Sequence, residues 1–462
     1  MNKKTAALHN LGCKVNEYET ERMKRALVDA GYAIVPFTEE ADVYVINTCT
    51  VTAVADQKSR QMLHRARRLN PEAVVVAAGC FVQTAVAKDG VEKVLAETGA
   101  DILLGNNEKT ALPQKIEDFL SGRTAVEDII DINERGLSFE EMGAPSEDAD
   151  SLNRTSGFLK IQDGCDRFCS YCLIPYARGR SRSRATADIL KEAEALAKRG
   201  LTELVVTGIH IGSFKGADDG ADITDLLEQL CDVPGIERVR IGSLEPVTVT
   251  EDFAKRLSSK KELCPHFHMS LQSGSDTVLA RMNRHYTTEE FAASVGYLRK
   301  YFDNPAITTD IICGFPGETE EEFEETLAFA QRIGFYEIHV FPFSSREGTR
   351  AAKMPGQLSK AVKAGRVNRL ISQQKSAKKA YMESFIGKEV RVLFEQEETI
   401  DGKPYVSGYS MNYLRVLVDE AAACRTRNSI DGGRAHLIGT EIPVAVTGID
   451  DDDTVWGETV LN

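Results

Sequence analysis

The sequence has 462 residues, too many for one hydrophobic core, and this length suggests two or three domains. Acidic residues outnumber basic ones by 70 to 56, giving a formal charge of −14, which argues against a simple electrostatic nucleic-acid binder. The sequence has neither an apolar run long enough to span a membrane nor the apolar segment of a secretory signal at its N-terminus. We therefore expect a soluble, cytoplasmic protein.

The first hundred residues alternate strand-like and helical patterns, which predicts a parallel α/β sheet. Its strands are predicted over Thr5–Leu11, Ala41–Asn47, Ala73–Ala78 and Ala100–Leu104. Three of these strands run into a cysteine: Cys13, Cys49 and Cys80. Because the carboxyl ends of parallel strands share one edge of a sheet, we expect the three thiols to meet there. The alternative is three inert thiols, since free cysteine is often buried.

A polar, acidic and aperiodic segment then predicts a linker, and a second alternating series follows it. Six βα units would form an open version of the eight-unit barrel, whose active sites lie at the carboxyl ends of its strands. After a long basic helix, alternating strands with glycine turns predict a small antiparallel barrel of OB type. We therefore divide the chain into an N-terminal α/β domain (1–121), a linker (122–150), a central α/β domain (151–383) and a C-terminal barrel (384–462).

A compact three-cysteine loop, CxxxCxxC, directly follows the first predicted strand of the central series and contains Cys165, Cys169 and Cys172. Thiolates hold iron–sulfur clusters, and a 4Fe–4S cluster with three protein ligands keeps one iron open. A zinc site is the alternative, but no fourth Cys or His lies at zinc-finger spacing. The loop therefore favours a 4Fe–4S cluster with one open coordination position.

This loop, at this place in a partial barrel, resembles the radical S-adenosylmethionine (SAM) superfamily. The resemblance implies that the open iron binds the amino and carboxylate groups of SAM. One electron then cleaves SAM to a 5′-deoxyadenosyl radical, which abstracts hydrogen from an unreactive C–H bond. The resemblance also implies SAM contacts from the aromatic residue before the third cysteine and from strand ends, namely Tyr171, Thr207, Gly208, Ser243, Glu245, Gln272 and Ser273. Ordinary turn chemistry is the alternative for the strand-end residues.

The surroundings of the first three cysteines resemble those of the methylthiotransferases, over essentially the whole chain. That family joins an N-terminal three-cysteine domain, a radical SAM barrel and a C-terminal TRAM domain. The resemblance implies that Cys13, Cys49 and Cys80 hold a second, auxiliary 4Fe–4S cluster, whose open iron carries the sulfur to be methylated and inserted.

Within this family, the segments GCKVNEYETE (Gly12–Glu21) and NTCTVTAVADQKSRQ (Asn47–Gln61) look most like the MtaB branch. That branch transfers a methylthio group to C2 of N6-threonylcarbamoyladenosine at position 37 of tRNA. Branches that act on isopentenyladenosine or on a ribosomal-protein aspartate are the alternatives. A non-catalytic Fe–S RNA-binding protein is a more distant one. The expected partners are the tRNA anticodon loop and a reductant such as flavodoxin or ferredoxin.

Two basic runs lie near the predicted cluster loops and are interpreted as phosphate contacts. Their members are Lys58, Arg60, Arg65, Arg67 and Arg68 in the first run and Arg178, Arg180, Arg182 and Arg184 in the second. In the C-terminal barrel, Tyr405, Tyr409 and Tyr413 are predicted to stack on RNA or track it. We interpret His210, His266 and His268 as polar lining or strand residues rather than metal ligands.

Overall fold

The computed structural model describes residues 4–123, 129–134, 136–143, 155–431, 437–450 and 454–460. The N-terminal part forms a five-stranded parallel sheet in the order β2-β1-β3-β4-β5. Both β3 and β4 are buried along their whole length, as expected for central strands of a parallel sheet covered on both faces. The strands are β1 Thr5–Asn10, β2 Ala33–Ile34, β3 Val43–Thr48, β4 Val74–Gly79 and β5 Ile102–Leu104, and the helices are α1 Lys14–Asp29, α2 Ala53–Leu69, α3 Cys80–Asp89, α4 Val91–Thr98 and α5 Leu112–Leu120.

The central part contains the predicted six parallel strands, arranged as two three-stranded sheets in the orders β10-β9-β6 and β11-β12-β13. Isolated parallel bridges join the two sheets. The strands are β6 Ser156–Lys160, β7 Gln162–Asp163, β8 Arg182–Ser183, β9 Glu203–Thr207, β10 Arg238–Ile241, β11 His266–His268, β12 Ala306–Cys313 and β13 Glu337–Pro342. The helices are α6 Ile174–Arg178, α7 Thr186–Lys198, α8 Ile223–Cys231, α9 Glu251–Leu257, α10 Asp276–Arg281, α11 Thr288–Tyr301, α12 Glu320–Ile333 and the long α13 Lys360–Glu383.

The C-terminal part is a closed five-stranded barrel in the order β14-β15-β16-β18-β17. Its elements are β14 Glu389–Ile400, β15 Lys403–Ser410, β16 Arg415–Asp419, α14 Glu420–Asp431, β17 Glu441–Ile449 and β18 Val455–Thr459. The predicted small barrel is confirmed, but it is not wholly antiparallel, because β16 and β18 pair in parallel. The chain passes through α14 and β17 before β18 returns beside β16, and a parallel pair requires such a crossover.

Two arginines of β10 dock this barrel onto the central domain. Arg238 donates to the carbonyl of Tyr409 at 2.9 Å, and Arg240 donates to that of Ser410 at 3.2 Å. The Tyr413 ring stacks on His266 at 4.0 Å and also meets the Tyr409 ring at 4.8 Å. Tyr413, which stacks on both His266 and Tyr409, therefore serves the domain interface, and this corrects its predicted role in stacking on RNA. RNA stacking by Tyr409 stays a prediction. None of the helices in the described part of the chain is long and apolar enough to cross a membrane.

We predict that Phe394→Ala destabilises the C-terminal barrel by about 3–5 kcal/mol, because it empties a fully buried aromatic position. Trp456, the one tryptophan of the chain, lies in β18 and reports barrel unfolding by its fluorescence. The measurement is urea unfolding followed at this residue. Ile386→Ala, at a side chain that is 47% exposed, is the control. Equal unfolding midpoints for the two variants would contradict the assignment of Phe394 to the barrel core.

Candidate active site

The first three cysteines meet at the carboxyl edge of the N-terminal sheet. Cys13 precedes α1, Cys49 follows β3 and Cys80 opens α3 directly after β4. Burial raises the pKa of the Cys49 thiol to about 11, and the neighbouring Cys80 and Cys13 thiols add to this rise. Thiols in this state bind a metal by giving up a proton, so cluster loading and ionisation are coupled.

Gly12 and Asn16 shape this edge. Gly12 has a φ of +106°, and a Cβ there would lie 2.8 Å from the Cys49 sulfur. Asn16 donates to the carbonyls of Leu11 at 2.7 Å and Thr48 at 2.9 Å, so it ties the Cys13 and Cys49 loops together. Glycine at position 12 and asparagine at position 16 therefore allow the Cys13 and Cys49 loops to lie close together.

The second cysteine site is the loop after β7. Backbone amides point at two of its sulfurs, with Arg167 N at 3.5 Å from Cys165 Sγ and Ile174 N at 3.4 Å from Cys172 Sγ. The guanidinium of Arg284 donates to Cys169 Sγ at 3.3 Å. These donors would stabilise thiolate sulfur, because hydrogen bonds to a charged group favour the charged form.

Neither cysteine site holds its three sulfurs close enough together for a single ion. Among the described residues, the one set of three Cys, His, Asp or Glu ligand atoms lying within 4.8 Å of one another contains no cysteine. Gly164, with a φ of +74°, brings the chain so close to Arg180 that a Cβ would lie 1.9 Å from the Arg180 carbonyl oxygen. The cysteine spacing, the sulfur donors and the glycine cradles all fit 4Fe–4S clusters, and this argues against the zinc alternative.

One fully buried arginine connects the two sites. Arg178 donates through Nε to the Cys80 sulfur at 3.3 Å, and through Nη1 to Glu19 at 2.8 Å and Asp163 at 3.1 Å. Asp163 in turn accepts from the backbone amide of Gly164 at 2.8 Å, directly before Cys165. Arg178 therefore spans from the last auxiliary cysteine to the start of the second cysteine loop.

Two lysines complete this buried ionic network, which we define as Glu19, Lys109, Lys160, Asp163 and Arg178. Lys160 contacts both carboxylates, at 2.7 Å and 2.6 Å, and Lys109 contacts Glu19. Burial alone would raise the pKa of Glu19, but the three cations outweigh it and hold that pKa well below its usual range. Three cations face two carboxylates, so the network keeps one positive charge beside Cys80.

The structure corrects the prediction that the second basic run contacts phosphates. Arg178 and Arg184 are buried in ion pairs, the latter with Glu192, and Arg182 is also buried. Arg180 alone of the four is exposed, beside Asp166. In the first run, Arg67 pairs with Asp101, whereas Lys58, Arg60, Arg65 and Arg68 stay exposed on α2. Phosphate contacts from three of the four arginines of the second run are therefore ruled out by their burial.

The predicted SAM contacts are distributed unevenly around the second cysteine loop, and their roles stay predictions. Tyr171 lies within the loop and packs edge-on against Phe315. Thr207 ends β9 and Gly208 follows it, Ser243 is exposed after β10, and Gln272 has a φ of +72°. Ser273 is fully buried, and its hydroxyl lies 3.3 Å from that of Thr326 on α12. Ser273 is the least accessible of the set.

Glu245 is the best-placed polar group of that set. Its carboxylate lies 2.7 Å from Arg167, 3.3 Å from Arg284 and 3.1 Å from His210. Burial would raise its pKa, but His210, Arg284 and Arg167 together lower that pKa to about 2. Glu245 is therefore ionised at neutral pH beside the cysteine loop.

The sequence does not predict the roles of three residues that organise the site: Gln162, Arg178 and Arg284. Gln162 accepts from the amides of Ile209 at 3.1 Å and His210 at 2.8 Å, and donates to the Gly164 carbonyl at 2.7 Å. It thus fixes the β9 end against the cysteine loop. In the sequence, Arg178 belongs to an alternating basic run, and this pattern predicts contact with RNA phosphates rather than a buried ion pair.

We predict that Arg178→Met lowers the free energy of unfolding by about 3–5 kcal/mol, because it leaves two buried carboxylates short of a partner. The neighbouring Arg180→Met should cost at most about 1 kcal/mol, since that side chain is 63% exposed. Chemical denaturation of the cluster-free proteins measures both. Equal losses would contradict the bridging role of Arg178.

Comparison with known proteins agrees with this geometry. Residues 159–330 match the radical SAM superfamily, and residues 5–105 match the Uncharacterized protein family UPF0004. The radical S-adenosylmethionine methyltransferase TsrM from Kitasatospora setae, with tryptophan and a SAM analog bound, has a TM-score of 0.55 at 17% identity over 73% of each chain. That likeness concerns the fold alone.

Curated relatives are much more similar in sequence. The chain is 40% identical to the threonylcarbamoyladenosine tRNA methylthiotransferase MtaB of Bacillus subtilis, over 89% of this chain and 90% of that one. It is 36% identical to the protein of the same name from Aquifex aeolicus, over 89% and 97%. It is also 36% identical to a tRNA-2-methylthio-N(6)-dimethylallyladenosine synthase of Moorella thermoacetica, over 86% and 89%. The chain therefore belongs to the radical SAM family of tRNA methylthiotransferases.

Proposed function

We propose that this enzyme transfers a methylthio group to C2 of N6-threonylcarbamoyladenosine at position 37 of tRNA, giving 2-methylthio-N6-threonylcarbamoyladenosine. The observation that carries the proposal is the pair of three-cysteine sites joined through Arg178. One site suits SAM cleavage and the other suits sulfur transfer. The nucleoside follows from the MtaB relatives at 35–40% identity.

Members of this family use two 4Fe–4S clusters and SAM. Cys165, Cys169 and Cys172 would hold the cluster that binds SAM, and the N-terminal cysteines would hold the auxiliary cluster. When bound, these groups supply the electron that cleaves SAM and the sulfur that is transferred.

The protein's own residues would bind and orient these groups. Arg284 and the amides after Cys165 and Cys172 donate to sulfur, which offsets the negative charge of a thiolate-bound cluster. Glu245 is an ionised acceptor that suits the amino or hydroxyl groups of SAM. Tyr171, in apolar contact with Phe315, provides an aromatic surface for the adenine.

The surroundings of both cysteine sites suit an unstacked base of an anticodon loop. Val51 and Val54, next to Cys49, are 56% and 60% exposed, and Tyr176, near Cys172, is 46% exposed. Exposed apolar and aromatic side chains at such places provide stacking surfaces for bases. The exposed cations of α2, the helix after Cys49, would contact phosphates.

We further propose a flavodoxin or ferredoxin as reductant, and the cytoplasm as the site of action.

The second candidate substrate is N6-dimethylallyladenosine. It is favoured by the relatives of that name, which reach 36% identity. Both candidates share the cysteine chemistry, so they differ only in the N6 substituent of the target base.

The test compares Cys169→Ala and Cys80→Ala in the anaerobically reconstituted enzyme, with stem-loop RNA carrying threonylcarbamoyladenosine. We expect Cys169→Ala to lose SAM cleavage, and Cys80→Ala to retain cleavage but lose thiomethylation, because each removes a ligand of a different site. Cys231→Ala, at a buried cysteine of α8, is the matched control and should retain both activities. Thiomethylation by the Cys80→Ala enzyme would refute the two-site assignment.

A further inference from the structure

A second polar cluster lies on the strands of the central barrel, and it has no role in the proposed cysteine chemistry. His268, Asp310 and His339 project from the adjacent strands β11, β12 and β13, where Asp310 and His339 are direct cross-strand partners. The Asp310 carboxylate lies 3.2 Å from His339 Nδ1 and 3.3 Å from His268 Nε2. The two imidazoles stack at 5.5 Å. We call these three residues the His-Asp-His cluster.

This cluster lies one layer of side chains below the cysteine loop. Ser270 follows His268 by two residues, and its carbonyl accepts from Arg284, the residue that also donates to Cys169. Two strand residues span about 7 Å and bring a side chain back to the same face. On the neighbouring strand, Ile312 follows Asp310 by two residues and belongs to the apolar group around Tyr171.

The cluster is accessible, because its side chains are partly exposed. The side chains of His268, Asp310 and His339 are 13%, 30% and 48% exposed. One layer further down, His266 is buried and stacked on Tyr413, so the barrel is closed there by the C-terminal domain. Of these two layers, only the His-Asp-His cluster is therefore accessible to a ligand.

We propose that the His-Asp-His cluster binds the polar substituent on N6 of the target nucleoside and selects threonylcarbamoyladenosine over dimethylallyladenosine. This inference rests on the proposed function. A threonylcarbamoyl group offers ureido N–H donors, which suit the Asp310 carboxylate. It also offers carbonyl, hydroxyl and carboxylate oxygens, which suit imidazole donors.

A dimethylallyl group has no hydrogen-bonding atom and would displace water from these groups without replacing its bonds. Leaving buried polar groups without partners is costly, and sites built for hydrogen bonding discriminate strongly against apolar analogues. The hydrogen bond with Asp310 also raises the pKa of His339, which favours the imidazolium, a donor at both nitrogens.

A divalent metal is the competing occupant, because two imidazoles and a carboxylate form a recognised ligand set. In the described structure, however, each Asp310 oxygen already meets one imidazole, and His268 Nδ1 lies 3.0 Å from the Thr308 hydroxyl. These imidazole nitrogens are thus engaged by Asp310 and Thr308, whereas each Asp310 oxygen keeps a second lone pair for the N–H donor of a ligand. We therefore assign the cluster to an organic ligand.

The experiment measures anaerobic binding of stem-loop RNAs carrying threonylcarbamoyladenosine, dimethylallyladenosine or unmodified adenosine to the reconstituted enzyme, by fluorescence anisotropy. We expect the wild type to prefer the threonylcarbamoyl RNA by about tenfold or more. His339→Leu and Asp310→Asn should lose this preference, with unchanged affinity for unmodified RNA and unchanged reductive SAM cleavage. Asp303→Asn, at an exposed residue just before the other end of β12, should behave as wild type.

The inference is overturned if both variants keep the wild-type preference while the wild type thiomethylates the threonylcarbamoyl RNA. It is also overturned if the wild type carries one additional zinc or iron ion per chain that both variants lose. If the wild type thiomethylates no threonylcarbamoyl RNA at all, the proposed function fails and this inference fails with it.

Discussion

The buried ionic network around Arg178 is the constraint on which the arrangement of this enzyme depends. Its five members come from α1, the segment before α5, β6, β7 and α6, so it joins the N-terminal sheet to the central barrel. Ion pairs at such depth add little net stability, but removing one partner is expensive. The network therefore acts mainly as a specificity device that fixes one domain arrangement. In that arrangement Arg178 contacts Cys80 and also Asp163, two residues before Cys165.

The charge of the network matters as much as its position. Its single excess positive charge lies against Cys80, where Arg178 and Asn106 both donate to sulfur. An anionic cluster held there would be stabilised by this charge, while Arg284 serves the second site in the same way. Each site thus has its own arginine. Of these two arginines, Arg178 is the one that also joins the N-terminal and central domains. Two residues before Ser270, whose carbonyl accepts from Arg284, lies His268 of the His-Asp-His cluster, to which we assign the N6 substituent.

Much of this could be predicted from the sequence because the signals are local. Cys13, Cys49 and Cys80 follow strands of one parallel sheet, and parallel strands end at a common edge. The CxxxCxxC loop carries its own spacing, and the alternation of strands and helices predicts the barrel. These inferences need no knowledge of distant residues.

The parts that could not be predicted depend on long-range partners. Whether Arg178 contacts RNA or lies buried is decided by Glu19, which is 159 positions away in the chain. Likewise, the sequence around Tyr413 indicates a residue that stacks on RNA, but in the structure its ring stacks on His266 of another domain. His268 was interpreted as polar lining because its partners Asp310 and His339 lie on other strands. The parallel β16–β18 pair was missed because α14 and β17 separate its strands.

The most direct test of the whole account is nucleoside mass spectrometry of tRNA from a strain that lacks this gene. We expect 2-methylthio-N6-threonylcarbamoyladenosine to disappear and its unmethylthiolated precursor to accumulate. The wild-type gene should restore the modification, and the Cys80→Ala gene should not. An unchanged level of the methylthio nucleoside, in a strain with no second enzyme of this family, would contradict the account.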